Sequence, residues 1–314
     1  EGEDDSNSDA DPRRRLAADK KWPLHAKAVL PALGKTPNLL DQHYIIQKVL
    51  HDAIENVTRE CLLNNAWPEQ KANSKLAFRV DVLLQAVKGN IKAHPELRDL
   101  KKRIQDDAPF TRSLSRVFMN RLSTLRGPAK SMATSEIASY ELGKSGKCEA
   151  RVGVLFKFHQ YIFPGTWTGE NGLTWDVKKN KPYLNCTVID TLTAAFFGSA
   201  SSIGYQYMDH YKSSVGKDDR KELPIAMAAL VATAVYVALY EWRNGKKSKV
   251  KFEGNTFLAI YSHHATTLQQ MKEDSPNGYH EIMAELFSRV VDTTVNDGPS
   301  GETETFSMID LSAY

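Results

Sequence analysis

The stretch ASYELGKS, residues 138–145, has the outline of a phosphate-cradling loop: a small residue, four of any kind, then Gly143, Lys144 and Ser145. In a P-loop, glycine-rich backbone between a buried strand and a helix turns N–H groups toward phosphate oxygens. The Lys holds the outer phosphate and the Ser holds Mg²⁺. That chemistry requires a strand immediately before the motif. Here Ala133, Ile137, Tyr140 and Glu141 keep helical spacing, and Gly143 is placed to end the helix. The context predicts a helix C-terminus followed by a polar GKSGK loop, and no ATPase.

A second constellation points to metal chemistry. Asp218-Asp219-Arg220-Lys221-Glu222 has the aspartate-rich form found in helical terpene cyclases, and Asn296, Asp297, Ser300 and Glu304 have the spacing of their second motif. Mg²⁺ in such sites is held by oxygens stacked at four-residue steps on one helical face. Gly298, Pro299 and Gly301 exclude a helix from the second motif. Lys217, Arg220 and Lys221 interleave the first just ahead of Pro224, which predicts a solvated loop. His263 and His264 are adjacent, not at the four-residue step that puts two imidazoles on one face. One of the pair is expected to turn inward and hydrogen-bond. His280-Glu281 lacks a second His, and GSASSIG at 198–204 lacks the spacing of a nucleophile elbow. No catalytic residue, cofactor or metal ligand is expected.

Two basic features remain. On a helix predicted from about 109 to 126, Arg112, Arg116 and Arg126 share a face with Met119 and Ser123, while Leu114, Val117, Phe118 and Leu125 occupy the other. Arg98, Lys101, Lys102 and Arg103 add charge upstream. Further on, Arg243, Lys246, Lys247, Lys249 and Lys251 crowd into RNGKKSKVKF. Such clusters suit the phosphates of nucleic acid or an acidic protein partner. The plainer reading is a solvated face with lysines favoured at a helix C-terminus. Lys246-Lys247-Ser248-Lys249 also has the form of a nuclear-import signal. Arg121 projects from the apolar face of its helix and is expected to be partly buried and paired.

The elements that must carry these residues are helical. Ile46, Val49, Leu50, Ala53, Val57 and Cys61 recur at three- and four-residue steps in a helix running to about residue 65. Pro68 suits the first turn of the next, and Gly127-Pro128 should separate the arginine-bearing helix from one running to about 142. Residues 151–163 read as apolar helix, PGTWTGENGLTW as a connection, and 187–197 as a shorter helix. From Ile225 to Tyr240 no residue is charged, so a helix over about 223–243 should lie at the centre of a core. It is shorter than the roughly 20 residues a bilayer requires, so no membrane span is expected. Helices over about 256–272 and 279–293 follow.

The expected architecture is all-α: a flexible acidic-then-basic tail and linker over 1–38, one helical domain over 39–295, and a polar tail over 296–314. At 314 residues the chain can bury a sizeable core. A net charge of +3 is too small to imply nucleic-acid binding without local clustering. Three widely spaced cysteines suit a reducing compartment. The sequons at Asn56 and Asn185 are read as chance matches, and the initial Glu as the mark of a fragment. The chain is therefore expected to be intracellular, in nucleus or cytoplasm.

The segments LFKFHQYIFPG, KPYLNCTVIDTLTAAFF, ELPIAMAALVATAVYVALYEWRNGKKSKVKF and IYSHHATTL, with the Arg-rich stretch before Ala129-Lys130, resemble a basidiomycete fungal family known as domain of unknown function 6532. The resemblance covers most of residues 45–290. It implies a fungal source and a helical domain, and brings no activity and no site residues. Two functional readings follow. The first is a non-enzymatic helical interaction module contacting nucleic acid or an acidic protein. The second is an enzyme or small-molecule binder with an inter-helical pocket lined by aromatics such as Trp167, Trp175, Tyr183 and Trp242.

Overall fold

Periodic apolar residues become ten α-helices in the structure, a computed structural model that describes residues 21–31, 35–70 and 73–295. These are α1 (Tyr44–Leu63), α2 (Lys75–Asn90), α3 (Leu97–Asp106), α4 (Ala108–Glu136), α5 (Ser145–Phe156), α6 (Cys186–Leu192), α7 (Ile203–Gln206), α8 (Ile225–Tyr240), α9 (Gly254–Asp274) and α10 (Pro276–Val295). A hairpin of β1 (Gly165–Thr168) and β2 (Thr174–Val177) completes the fold among the described residues. The fold is helical, as expected. Of the 1–38 tail and linker, residues 1–20 and 32–34 lie outside the described residues, as does the 296–314 tail with the Asn296, Asp297, Ser300 and Glu304 motif.

The chain divides into two compact units, Glu1–Arg126 and Gly127–Tyr314, with the division inside α4. In the first, α1 packs on α2 and α2 on α3. The stripe read from sequence is the buried one: Ile46, Val49, Leu50, Ala53, Val57 and Cys61 are at most 2% exposed. Ser74 caps α2 by accepting from Ala77 N at 3.1 Å, and Asp107 accepts from Phe110 N at 3.1 Å to start α4. The expected break at Gly127-Pro128 is not there; α4 continues to Glu136 with Pro128 inside it. A mid-helix proline costs about 3 kcal/mol. Leu122, Leu125, Ala129 and Ala133, all buried, continue the apolar row across the proline and offset that cost.

The second unit is built on α8. Every residue over 226–235 is buried, and α8 packs against α9, α6 and α5. Thr233 Oγ1 donates to Ala229 O at 2.7 Å, which satisfies its hydroxyl inside the core. Two local expectations change here. The PGTWTGENGLTW connection forms the antiparallel hairpin, with Trp167 opposite Trp175. The apolar segment over 151–163 is α5 ending at Phe156, followed by a tighter turn in which Phe158 (φ 55°) and His159 (φ 53°) are left-handed. No helix among the described residues is long and apolar enough to cross a membrane.

Candidate functional site

The basic turn after α8 is positioned by one buried carboxylate. Glu241, 4% exposed, accepts from Val250 N and from Lys130 Nζ, both at 3.0 Å, while its carbonyl accepts from Ser248 N at 2.8 Å. Gly245 (φ +74°) closes the turn and lies against the first turn of α5: a Cβ built there would sit 2.5 Å from Ser145 O. Cys148 Sγ reaches Trp242 O at 3.7 Å and holds the same junction. The backbone segments that carry Lys144 and Lys147, and Lys246, Lys247 and Lys249, are thereby brought into contact although a hundred residues apart in sequence; the Lys147 side chain extends over Gly143 toward Gly172. All five are exposed, and none is ion-paired among the described residues. Lys251 is also exposed but stands 3.8 Å from Glu253. Arg243 is folded back, its guanidinium 3.9 Å from the Tyr240 ring centroid and donating to Tyr240 O. Glu141, Glu149 and Glu253 are the exposed carboxylates of these segments.

Gly245→Ala is expected to destabilise the second unit by about 1–3 kcal/mol, because it combines a left-handed backbone with a direct clash on Ser145 backbone. Chemical denaturation measures the loss.

The arginine stripe is not an open surface. Arg126 is 9% exposed and pairs bidentately with Glu69, Nη1 to Oε1 and Nη2 to Oε2 at 2.7 Å each. A desolvated, neutralised guanidinium is not available to a phosphate, so Arg126 leaves the list of candidate contacts. Arg116 donates to Lys35 O at 3.3 Å, and Arg112 is half-buried. Upstream, Arg103 is buried, donating to Ala26 O at 2.7 Å. Arg121 is half-buried, and its Nε has no hydrogen-bond partner among the described residues.

The GKS motif follows a short 3-10 turn over Ile137–Tyr140, not a strand, so the P-loop context is missing. Glu141 (φ 48°) and Gly143 (φ 78°) turn the chain. Ser145, Gly146 and Lys147, expected in a loop, open α5.

His264 is the inward member of the histidine pair, at 0% exposure, and His263 is exposed. Tyr161 OH lies 2.5 Å from His264 Nε2 and Tyr183 OH 3.2 Å from Nδ1. His159 stacks on His263 at 4.2 Å between centroids and meets His264 edge-on at 5.1 Å. Burial, then the neighbouring His263, pushes the His159 pKa down to about 4; burial holds His264 well below the usual histidine range. Burial also raises the Tyr161 and Tyr183 hydroxyls far above theirs. His159, His264, Tyr161 and Tyr183 are therefore neutral at pH 7; Tyr161, Tyr183 and His264 form a buried hydrogen-bonded cluster, against which the half-buried His159 ring packs edge-on. Single-residue periodicity had no signal for His159, whose place depends on the left-handed turn.

The aspartate-rich stretch is a loop, as read, but Glu222 is not solvated. It is 5% exposed and its Oε1 accepts from Ser214 N (2.6 Å), Ser214 Oγ (2.7 Å) and His280 Nδ1 (2.7 Å). His280 Nε2 stands 3.0 Å from Asp218 Oδ2, and Arg220 Nη2 bridges Asp218 Oδ2 and Glu281 Oε1 at 2.6 Å each. The four aromatics of the pocket reading do not converge. Trp167 and Trp175 pack on each other across the hairpin, where Arg151 lies 4.4 Å over Trp167. Tyr183 belongs to the His264 core, and Trp242 to the basic turn. An open groove of about 720 Å³ in the first unit, flanked by Glu60 and Asn64 of α1 and Asp81 and Gln85 of α2, contains none of them.

A family model described as a domain of unknown function (DUF6532) matches residues 52–271. No curated protein and no solved structure matches the chain.

Proposed function

Because the chain belongs to this domain-of-unknown-function family, whose description names no activity, we propose its function from its surface: a helical binding module that grips nucleic acid through phosphates. The observation that carries the reading is the packing of Gly245 on Ser145, which joins two segments bearing exposed lysines, Lys144 and Lys147 on one and Lys246, Lys247 and Lys249 on the other. Lysine ammoniums without carboxylate partners are strongly hydrated point charges, free to replace the counterions around phosphates. The patch makes no planar fork for a base edge, so the binding it supports is to backbone and is indifferent to sequence. Lys246, Lys247 and Lys249 also have the form of a nuclear-import run, which supports an intracellular reading. The fungal source implied by the resemblance belongs to this reading too.

The test is fluorescence anisotropy of labelled duplex DNA and single-stranded RNA over a range of salt. Log affinity is expected to fall linearly with log salt, by about 0.9 per phosphate neutralised on duplex. Reversing Lys246, Lys247 and Lys249 to Glu should reduce that slope by roughly three contacts' worth. Absence of binding at low salt, with capture of polyglutamate instead, would transfer the patch to an acidic protein.

A further inference from the structure

We infer that Asp218, His280 and Glu281 form a binding site for one divalent metal ion of the zinc type, with Glu222 orienting the imidazole. It lies apart from the lysine patch and does not depend on that reading.

The first support is convergence. One ligand atom from each of the three residues lies within 4.8 Å of the others. Two ligands of a tetrahedral Zn²⁺ at 2.0–2.2 Å stand about 3.3–3.6 Å apart. The widest pair must therefore close by at most about 1.5 Å. The Asp218 and Glu281 side chains, 30% and 64% exposed, have room to do so.

The second support is the state of His280. Its side chain is 2% exposed and its Nδ1 faces Glu222 Oε1 at 2.7 Å. A carboxylate oxygen is an acceptor, so Nδ1 carries a proton and donates. Nε2 points into the carboxylate cluster: it sits 3.0 Å from Asp218 Oδ2 yet makes no hydrogen bond, being off the line one requires. A buried nitrogen held that close to a carboxylate oxygen calls for a cation beside both, a proton in the metal-free protein and the metal ion once it binds. A carboxylate behind Nδ1 and ligand oxygens in front of Nε2 is the usual arrangement of a metal-ligating histidine.

Charge gives the third support. Asp218, Glu222 and Glu281 contribute three negative charges, and Arg220 is the one guanidinium that bridges them. In the metal-free protein a proton on His280 offsets one of the two remaining charges; with the imidazole neutral, as a metal ligand is, the imbalance of two is that of a divalent ion. Arg220 is 49% exposed at the outer side of the cluster. It competes with the metal for the same two carboxylates and moves aside when the ion binds. One imidazole nitrogen and two carboxylate oxygens form a borderline donor set, which suits Zn²⁺ or Mn²⁺ over Ca²⁺, whose ligands are oxygens alone. Three protein ligands leave a fourth position for water. The bound ion would fasten the 208–224 loop to α10.

Isothermal titration of the chelator-stripped full chain with Zn²⁺, with Mg²⁺ as control, tests the assignment. One Zn²⁺ per chain is expected, with no response to Mg²⁺. Asp218→Asn and Glu281→Gln change exposed side chains and should each weaken binding by at least about tenfold. Arg220→Ala should tighten it by removing the competing cation. Failure to bind Zn²⁺ one-to-one overturns the inference. So does binding that both carboxylate variants leave unchanged, which would place the ion on surface histidines.

Discussion

Glu69→Ala is expected to destabilise the chain by about 3–5 kcal/mol, among the largest losses for any single side chain outside the α8 core. Glu69 and Arg126 form a bidentate pair whose side chains are only 7% and 11% exposed. Their surroundings are apolar: the guanidinium lies 5.4 Å from the Trp67 ring centroid, and burial pushes the nearby Cys61 thiol up to about 11. Removing Glu69 strands a guanidinium that cannot lose its proton at any accessible pH. The loss measures that stranded charge, not the worth of the pair. The double variant Glu69→Leu with Arg126→Met should therefore recover most of the stability. Urea denaturation of the two single variants and the double variant closes the cycle. A loss below about 1 kcal/mol for Glu69→Ala would mean that water reaches the pair, and Arg126 would return to the candidate phosphate contacts. In the folded Arg126→Met protein, the salt slope of nucleic-acid binding should be unchanged, unlike in the lysine reversals.

Arg126 also shows where sequence reading stops. Helical spacing placed it on a face with Arg112 and Arg116, and that placement is geometrically right. Spacing carries no information on Glu69, 57 residues upstream, which turns an exposed-looking cation into a buried one. The α8 helix was legible because no charged residue interrupts Ile225–Tyr240, so burial on all sides was the one outcome available to it. The passage of α4 through Pro128 was not, because a local backbone penalty was overruled by burial of residues on both sides of it. The hairpin strands have four residues each, too few for alternation to stand out from the flanking glycines. At the candidate site, the basic turn was visible as RNGKKSKVKF. That Gly245 rests on Ser145, and so joins two lysine groups, is a long-range contact. That one of the two adjacent histidines turns inward was legible; that it is His264, and that Tyr161, Tyr183 and His159 are its partners, was not.

Those partners give the histidine core a pH signature. Unfolded, a histidine takes up its proton near pH 6.5. Folded, His159 does so near 4, and His264 lower than its usual value, because both rings are buried and lie beside other imidazoles. Between these values the unfolded chain binds more protons, so stability falls as the pH drops below about 6.5. The His159 contribution is exhausted near pH 4. It is on the order of 1–2 kcal/mol once solvent screening of the half-buried ring is included. His280 acts in the opposite sense. Desolvation opposes its protonation, but the Glu222 and Asp218 carboxylates facing its two ring nitrogens outweigh that and raise its pKa, so its contribution is full below 6.5 and is lost as pH rises through the folded value. Asp218, held below the usual carboxylate range chiefly by Arg220, acts only in more acid solution than either. Urea midpoints between pH 7.5 and 4.5 should therefore fall toward acid, with His159 and His264 outweighing the rise from His280. His159→Asn removes a titrating ring while tolerating the left-handed backbone, and should flatten that fall. An unchanged acid slope in His159→Asn would assign the loss to His264 alone. A flat profile in the unaltered protein would mean that the three rings share their protons with water, and that the core around α8 is open on the side of the 158–159 turn.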